Sequence, residues 1–258
     1  MSGASFFAVL HYDGAGFAGW QRQRSDRTVQ SAIEDALQRL AGRKVITHAA
    51  GRTDAGVHAL GQVISFHLPA ARHPRTVLSA LRALTPHDVW ISRVGEAPSG
   101  FHARKHATAR RYRYVIGCDP ESFSPFRRPY EWALGVEVGL EALQSAADLF
   151  AGVHDFRAFS TVGQTKPHYR SHICVSEWCA RPHQEGFIFT IEADRFLHRM
   201  VRFLVGIMVD VARERRPVGD IPRLLESTDN REASPPAPPH GLYLVGARYP
   251  ELDEGYDQ

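Results

Sequence analysis

The sequence predicts an α+β protein built from two halves of similar design. Strand-like runs alternate with helical stripes, and a hairpin pattern appears in the C-terminal half, a mixture that favours α+β over a uniformly parallel fold. The chain has 258 residues, of which 43% are hydrophobic and 23% charged. This composition is typical of a globular protein, and the length suffices for one large domain or two smaller ones with ample core.

The N-terminal half is predicted as strand, helix, strand, helix, strand. Its first strand is the aromatic and β-branched run from Phe6 to Tyr12, which ends at the turn signal Asp13-Gly14. Thr28 is a suitable N-cap for a helix whose apolar stripe closes at Gly42. The other elements are a strand at Gln62 to Leu68, a helical stripe at Val77 to Leu84 and a strand at Val89 to Val94.

The C-terminal half repeats this style and ends on a strand. A proline-rich stretch, Ser234 to Pro239, is predicted to be a stiff extended connector before that strand. The predicted elements are a strand at Arg111 to Gly117, a helix at Leu140 to Phe150, a hairpin of Ile173 to Arg181 with Phe187 to Ala193, helices at Phe196 to Arg213 and Ile221 to Ser227, and a strand at Gly241 to Tyr249.

The domain prediction places the boundary near Arg104. Residues 1–104 form an N-terminal α/β subdomain, residues 105–249 form a C-terminal α/β subdomain, and residues 250–258 form a loose acidic tail. The similarity of the halves lies in the pattern of their elements, without a residue-level repeat.

Several classes of protein are disfavoured by the sequence. No basic segment precedes an apolar run at the N-terminus, and no stretch approaches the ~20 apolar residues that span a bilayer. The three cysteines are too few and irregular for a disulfide framework or zinc site, and the fourteen histidines include no HExxH motif. We therefore expect a cytoplasmic protein that does not contact a membrane and needs neither a metal nor a redox cofactor.

The positive charge is distributed in clusters of arginine. The net charge is only +3, but the planar guanidinium suits bidentate phosphate contacts and stacking on bases. A polyanionic partner is therefore favoured over five separate solvated surfaces. The clusters are Arg22 with Arg24 and Arg27, Arg104 with Lys105, Arg110 with Arg111 and Arg113, Arg127 with Arg128, and Arg195 with Arg199 and Arg202.

The stretch GRTDAGVHALGQVISF, from Gly51 to Phe66, carries the candidate catalytic group. Asp54 lies in a glycine-flanked turn, where an aspartate is more often structural because its side chain bonds nearby backbone. Arg52 can favour the ionised carboxylate, and Gly51 and Gly56 let a bulky ligand approach the backbone. A nucleophile or electrostatic catalyst is the alternative to a structural turn.

Two further segments combine arginines with aromatic or apolar faces. In the predicted strand ARRYRYVIG, Tyr112 and Tyr114 share one face, which is either a sheet core or a platform for stacking a base. In the predicted helix FLHRMVRFLVG, Arg195, Arg199 and Arg202 recur at i, i+4 and i+7 and would share one face. That face is either a solvated surface or a contact with RNA.

The run Gly14 to Gly19 spells GxGxxG after a strand, as in a dinucleotide-binding fingerprint. A Rossmann unit requires a helix to open at once behind this loop. Here a polar segment that begins at Trp20 follows, and the helix starts only at Thr28. We therefore reject a nucleotide cofactor and predict instead a flexible loop that touches RNA through Trp20 and its arginines.

The GRTDAGVHALGQV stretch resembles the signature of the TruA-type tRNA pseudouridine synthases. Other matching stretches follow the family order: YDGAGFAGWQRQ before it, and FHAR, ARRYRY, HDFRAF, FLHRMVR and GLYLV after it. The resemblance implies two α/β subdomains whose mainly antiparallel sheets join around a central basic cleft. It also implies a cofactor-independent isomerase that converts uridine to pseudouridine at tRNA positions 38, 39 and 40, in the anticodon arm, and that acts as a homodimer.

The resemblance assigns roles to individual residues. Asp54 is the catalytic aspartate, Arg202 the arginine that pairs with it, and Tyr112 the active-site tyrosine, which also contacts the substrate. Leu242 packs near the target uracil, and Arg52 and His58 are assigned to substrate binding. Whether Asp54 attacks C6 of uracil, attacks C1′ of ribose or acts electrostatically stays open. The arginines assigned to RNA binding are Arg22, Arg24, Arg111, Arg113, Arg195 and Arg199.

A tRNA-binding or tRNA-chaperone module without catalytic activity is the alternative function. It would use the same arginines but would have no reason to keep a carboxylate where phosphates are attracted. Formation of pseudouridine in incubated tRNA distinguishes the two. A nicotinamide-dependent oxidoreductase is excluded by the loop that follows the GxGxxG run.

Overall fold

A computed structural model describes residues 3–161, 168–227 and 229–252. The chain divides into two compact units, one of Met1–Arg110 with Tyr243–Gln258 and the other of Arg111–Leu242. The boundary lies six residues after the one predicted from the sequence, and the last strand belongs to the first unit and not to the second. This assignment depends on a long-range strand pairing, which no local pattern in the sequence reveals.

The first unit contains the predicted strand, helix, strand, helix and strand, together with a two-residue strand at His48–Ala49 that the sequence did not predict. Thr28 caps the first helix, and its hydroxyl accepts from the Ser31 amide in a capping box. Gly42 ends this helix in the left-handed conformation, as predicted. The elements are β1 (Ala4–Tyr12), α1 (Val29–Ala41), β2 (His48–Ala49), β3 (His58–Leu68), α2 (Pro74–Leu84) and β4 (Val89–Glu96).

The second unit begins with the ARRYRY strand and contains the predicted hairpin. The elements are β5 (Ala109–Gly117), β6 (Trp132–Ala133), α3 (Leu140–Asp148), β7 (Gly152–Asp155), β8 (Arg170–Ala180), β9 (Gly186–Ala193), α4 (Met200–Ala212) and α5 (Asp220–Leu225). The last strand, β10 (Leu242–Arg248), follows the proline-rich connector.

The sheet of the first unit has the order β4-β1-β3-β10, with β2 added to β3. Strand β1 pairs antiparallel with β3 and β4, whereas β10 pairs parallel with β3 at Tyr243 and His58. Both faces are buried, because Phe6 and Ile64 are 0% exposed while Phe7 and Val63 pack in a second cluster. Strand β3 is therefore central, with nearly all its side chains buried.

The same second cluster holds the beginning of the predicted tail. Leu252 is buried there against Tyr249 and Phe101. Residues 253–258 of the predicted tail lie outside the described residues. The stretch just after residue 249 is thus packed against the first unit, where the sequence predicted a loose end.

The sheet of the second unit has the order β5-β9-β8-β7, with β6 added to β5. Strands β8 and β9 form the predicted antiparallel hairpin, with Ala180 opposite Phe187 near its turn. Strand β7 was not predicted, because its four residues show no alternation of polarity. Together the two units confirm the predicted α+β class with mostly antiparallel strands and few helices.

The prediction of the helix at Phe196 to Arg213 was wrong at its start. Helix α4 begins at Met200, and Arg199 before it adopts the left-handed conformation, with φ 61°. Phe196 packs edge-on against Tyr112, with ring centroids 5.0 Å apart, and this tertiary contact overrides the helical pattern. Arg195 and Arg199 consequently do not share a helix face with Arg202.

Candidate active site

Asp54 lies in the loop between β2 and β3 of the first unit. Its carbonyl accepts from the Val57 amide (3.2 Å), which closes a tight turn. Gly56 occupies the third position of this turn with φ 77°, a conformation that glycine adopts without steric cost. Asp54 is half-buried in this turn, and Arg52, two residues before it, is exposed.

The GxGxxG run forms the wall behind this turn. Gly19 has φ 92°, and a Cβ on it would lie 2.8 Å from the Thr53 carbonyl oxygen. The Trp20 amide donates to that same oxygen (3.0 Å), and the Gly56 amide donates to the carbonyl of Phe17 (3.4 Å). The glycines therefore allow the backbone of the Gly14–Gly19 run to approach that of the Asp54 loop closely. This close approach accounts for the GxGxxG pattern without a bound nucleotide.

The predicted contact of Trp20 with RNA was wrong. The Trp20 side chain is 2% exposed and lies beside Tyr12, with ring centroids 6.2 Å apart. An indole this deeply buried contributes packing to the first unit. The same loop is tied to the Asp54 turn by backbone bonds, so it is not the flexible segment that the sequence predicted.

Arg110 supports the strand end that leads into the Asp54 loop. Its Nε and a terminal nitrogen donate to the carbonyl of Ala50 (3.1 Å each), and its guanidinium also reaches the carbonyls of Ala107 and Arg104 (2.9 and 2.7 Å). Backbone carbonyls are neutral acceptors, so the Arg110 guanidinium stabilises the place where these backbone segments meet. The sequence had placed Arg110 in a phosphate-binding cluster.

His58 is buried next to the loop. It is 2% exposed, and its Nδ1 accepts from the Gly14 amide (3.0 Å). A nitrogen that accepts carries no proton, so the approach of Asp13 to the same nitrogen (3.2 Å) is not an ion pair with an imidazolium. The imidazole ring stacks on Tyr243 at 4.9 Å. These contacts hold the ring inside the first unit.

Tyr112 and Tyr114 on β5 differ in their surroundings. Tyr112 is 7% exposed and meets the edge of Phe196. Tyr114 is 0% exposed, its hydroxyl donates to the Pro238 carbonyl (2.8 Å), and burial raises the pKa of its hydroxyl well above the usual value. Tyr114 is thus a packing residue of the sheet core, one of the two alternatives that the sequence left open for this face. Leu242, which the resemblance assigns to the uracil pocket, is 5% exposed.

Arg202 lies in the first turn of α4 and is held by the proline-rich connector. Its Nε donates to the Ala237 carbonyl (2.6 Å), while the Ala237 amide donates to the Arg202 carbonyl (2.9 Å). A Cβ on Gly206 would lie 2.2 Å from the Pro235 carbonyl oxygen, so glycine permits the connector to cross α4. The sequence predicted an extended connector but not its role as the support of Arg202.

The arginines assigned to RNA binding fall into two groups. Some are engaged inside their own unit: Arg22 with Glu34 and Asp35 (3.0 and 2.9 Å), Arg111 with Glu192 (2.8 Å), and Arg195 with the ring of His168 (2.9 Å). Others lie exposed on the surface: Arg24, Arg113 and Arg199. The first group therefore differs from the second in having polar partners within its own unit, although Arg22 is itself partly exposed.

No helix within residues 3–161, 168–227 and 229–252 is long and apolar enough to cross a membrane. Over the same residues, no group of three or more His, Cys, Asp or Glu side chains is arranged to hold a metal ion.

The family of this chain is shown by comparison with known proteins. The profile of a family described as tRNA pseudouridine synthase matches residues 8–104 and 146–250. These segments include Asp54 and Arg202 and leave out residues 105–145, which contain Tyr112. The match defines the class as an RNA-modifying isomerase with an α+β fold and confirms the enzyme class and the family that the sequence motifs indicated.

The chain belongs to the tRNA pseudouridine synthase family. It is 38% identical over 238 residues to a tRNA pseudouridine synthase A of Thermotoga neapolitana, covering 92% of this chain and 96% of that protein. It is 36% identical to one of Exiguobacterium (95% and 98% covered) and 39% identical to one of Pseudothermotoga lettingae (95% and 99% covered). The relatives thus match the chain along nearly its whole length.

Proposed function

We propose that this protein converts uridine to pseudouridine in the anticodon arm of tRNA, at positions 38, 39 and 40, with Asp54 as the catalytic residue. The observation that carries the proposal is the half-buried Asp54 carboxylate on a turn whose backbone is fixed from behind by the Gly14–Gly19 loop. A carboxylate on a rigid turn matches the requirement that a catalytic group be held in place before the substrate arrives.

The reaction breaks the bond between N1 of uracil and C1′ of ribose and forms a bond between C5 and C1′. The proton on C5 leaves and N1 gains a proton, so atoms balance without an external reactant. The target base must leave the base stack, at a cost of a few kcal/mol. Phosphate contacts by the exposed arginines Arg24, Arg113 and Arg199 would offset that cost.

In the proposed site, Arg202 keeps Asp54 ionised and aligned, Tyr112 stacks on the base and assists proton transfer at C5, and Leu242 excludes water. The support for these roles is the family membership together with the burial of Tyr112 and Leu242. His58 and its stacking partner Tyr243 are proposed to support the wall of the site, since His58 is almost fully buried. Arg52 is exposed and can meet the substrate phosphates.

We also propose a homodimer located in the cytoplasm, where its tRNA substrate would be processed. The support is the membership of the chain in a tRNA-modifying family. The molar mass measured by light scattering tests the dimer, because the sequence mass of one chain is 28.8 kDa.

The decisive experiment incubates unmodified tRNA with the wild-type protein and with Asp54→Asn, and maps pseudouridine by position. Asparagine keeps the shape of the side chain but removes the charge of the nucleophile. The wild type should modify positions 38, 39 and 40, and Asp54→Asn should form no product while binding tRNA equally well. Product formation by Asp54→Asn would reject the catalytic assignment, and tRNA binding without any product by the wild type would favour the chaperone alternative.

A further inference from the structure

A buried polar cluster lies beneath the Asp54 loop. It consists of Tyr12, Gln62 and Thr53, which are 4%, 0% and 7% exposed. Tyr12 is the last residue of β1. Gln62 lies on β3, directly opposite Leu10 of β1. Polar side chains in such a position are costly to bury unless each polar atom is bonded. None of the three is required by the chemistry proposed above.

Gln62 holds the peptide groups on both sides of Gly51. Its Nε2 donates to the Gly51 carbonyl (2.7 Å), and its Oε1 accepts from the Gly51 amide (3.4 Å). The remaining hydrogen of Nε2 is directed to the Tyr12 hydroxyl oxygen (3.4 Å). Both hydrogens of Nε2 and the oxygen Oε1 therefore have partners. Two of these three bonds go to Gly51, the residue that begins the GRTD motif.

Tyr12 holds the residue before Asp54. Its hydroxyl oxygen lies 2.8 Å from Thr53 Oγ1. The Tyr12 hydroxyl therefore hydrogen-bonds the Thr53 hydroxyl while its oxygen also accepts from Gln62. Burial raises the pKa of Tyr12 to about 12, so the hydroxyl keeps its hydrogen near neutral pH.

We propose that Tyr12 and Gln62 are positioning residues for catalysis, which fix Gly51 and Thr53 and thereby the backbone that carries Asp54. The inference rests on the proposed catalytic role of Asp54. An apolar pair in this position would fill the core with less desolvation, but it would offer no bond to Gly51 or Thr53. The polar atoms of both side chains are directed at the catalytic loop, and the sheet itself needs none of these bonds.

The test compares Tyr12→Phe with a matched control, Tyr249→Phe. Tyr249 is also a buried tyrosine of the first unit, 7% exposed, and its hydroxyl donates to the Ala103 carbonyl (2.6 Å). Both changes remove one buried hydroxyl and should lower the melting temperature similarly. In single-turnover reactions at saturating tRNA, Tyr12→Phe should be slower than wild type by about 10- to 100-fold, because a displacement of ~1 Å at the reacting group costs that much. Tyr249→Phe should keep the wild-type rate.

Thr53 provides a second pair of variants with an internal rescue. Thr53→Val keeps the shape but removes the hydroxyl that bonds to Tyr12, whereas Thr53→Ser retains that hydroxyl. We expect Thr53→Val to lose single-turnover rate with unchanged tRNA affinity and Thr53→Ser to restore most of it. Equal rates for Tyr12→Phe and Tyr249→Phe, or for the two Thr53 variants, would overturn the inference.

Wild type and Asp54→Asn are measured in the same series. If the wild type forms no pseudouridine, or if Asp54→Asn is active, the proposed function fails. If the wild type is active, Asp54→Asn is inactive and the Tyr12 and Thr53 variants match their controls, only the positioning role fails.

Discussion

The two residues proposed to work together, Asp54 and Arg202, are supported in contrasting ways. Asp54 sits on a loop whose backbone is bonded to residues distant in sequence, among them Trp20 and Gln62. Arg202 sits in the first turn of a helix, and the Nε of its side chain donates to a carbonyl of the proline-rich connector, that of Ala237. The contrast implies that the position of Asp54 depends on packing by residues far away in sequence. The contribution of Arg202 should instead depend on the geometry of its own guanidinium.

In the second unit, which carries Arg202, the largest kinetic effect of a conservative substitution is expected for Tyr112→Phe. Phenylalanine keeps the stacking face and removes only the hydroxyl. If this hydroxyl takes part in proton transfer, release of the C5 proton should slow by about 100-fold or more. A tritium-release assay with 5-tritiated uridine in the tRNA measures that step directly.

Tyr114→Phe is the control for this experiment. It removes the bond to the Pro238 carbonyl and should lower the free energy of unfolding by about 1 kcal/mol. Its tritium-release rate should stay near the wild-type rate. Similar kinetic damage from both substitutions would mean that the choice of Tyr112 over Tyr114 is wrong.

Arg202→Lys is expected to have the next largest effect. Lysine keeps the positive charge but has neither the Nε that holds the Ala237 carbonyl nor the forked geometry that matches a carboxylate. Single-turnover rates should fall by about 10- to 100-fold, since alignment is lost while charge remains. Filter-binding affinity for tRNA should change little, and a loss confined to affinity would assign Arg202 to phosphate binding instead.

Local signals predicted much of the fold. The N-cap Thr28 and the left-handed Gly42 gave both ends of α1, since both signals act through adjacent backbone groups. The hairpin of β8 and β9 followed from alternation and a short turn segment. The family motifs then indicated the α+β class and the enzyme class, both of which the structure and the comparisons bear out.

The features that the sequence missed depend on tertiary contacts. The segment before Met200 carries a helical pattern, yet Phe196 is used in packing against Tyr112 and Arg199 turns left-handed. Clustering in the sequence likewise did not reveal that Arg22, unlike its cluster neighbour Arg24, is ion-paired with Glu34 and Asp35 of α1, twelve and thirteen residues away. Periodicity describes neighbours along the chain, whereas these outcomes are decided by neighbours in space.

Gly19→Ala tests the sensitivity of the Asp54 loop to remote packing, with Gly42→Ala as its control. Both glycines have positive φ, but an added Cβ on Gly19 meets the Thr53 carbonyl oxygen at 2.8 Å, whereas one on Gly42 meets nothing within 4 Å. Each change should destabilise the fold by about 1–3 kcal/mol through backbone strain. Only Gly19→Ala should also slow single turnover, by roughly tenfold. Equal activity losses would show that the loop does not depend on this close approach.

The smallest effects are expected for single arginines of the loop before α1, and they separate docking from folding. Arg24 is exposed, whereas Arg27 makes two bonds to Asp88 (2.7 and 2.8 Å). This bidentate pair lowers the pKa of the Asp88 carboxyl, chiefly through the hydrogen bonds from Arg27. A guanidinium engaged in this way is not free to neutralise a phosphate without breaking the pair.

Arg24→Ala should therefore reduce the slope of log K against log salt by about one unit, the loss of one phosphate contact. Arg27→Ala should leave that slope unchanged and lower the melting temperature slightly, because it removes a bridge that is partly open to solvent. Turnover at saturating tRNA should stay near wild type for both, since neither side chain belongs to the proposed chemistry. Affinities measured across a salt series decide between the two arginines. A larger slope change for Arg27→Ala would mean that the ion pair with Asp88 opens when tRNA binds.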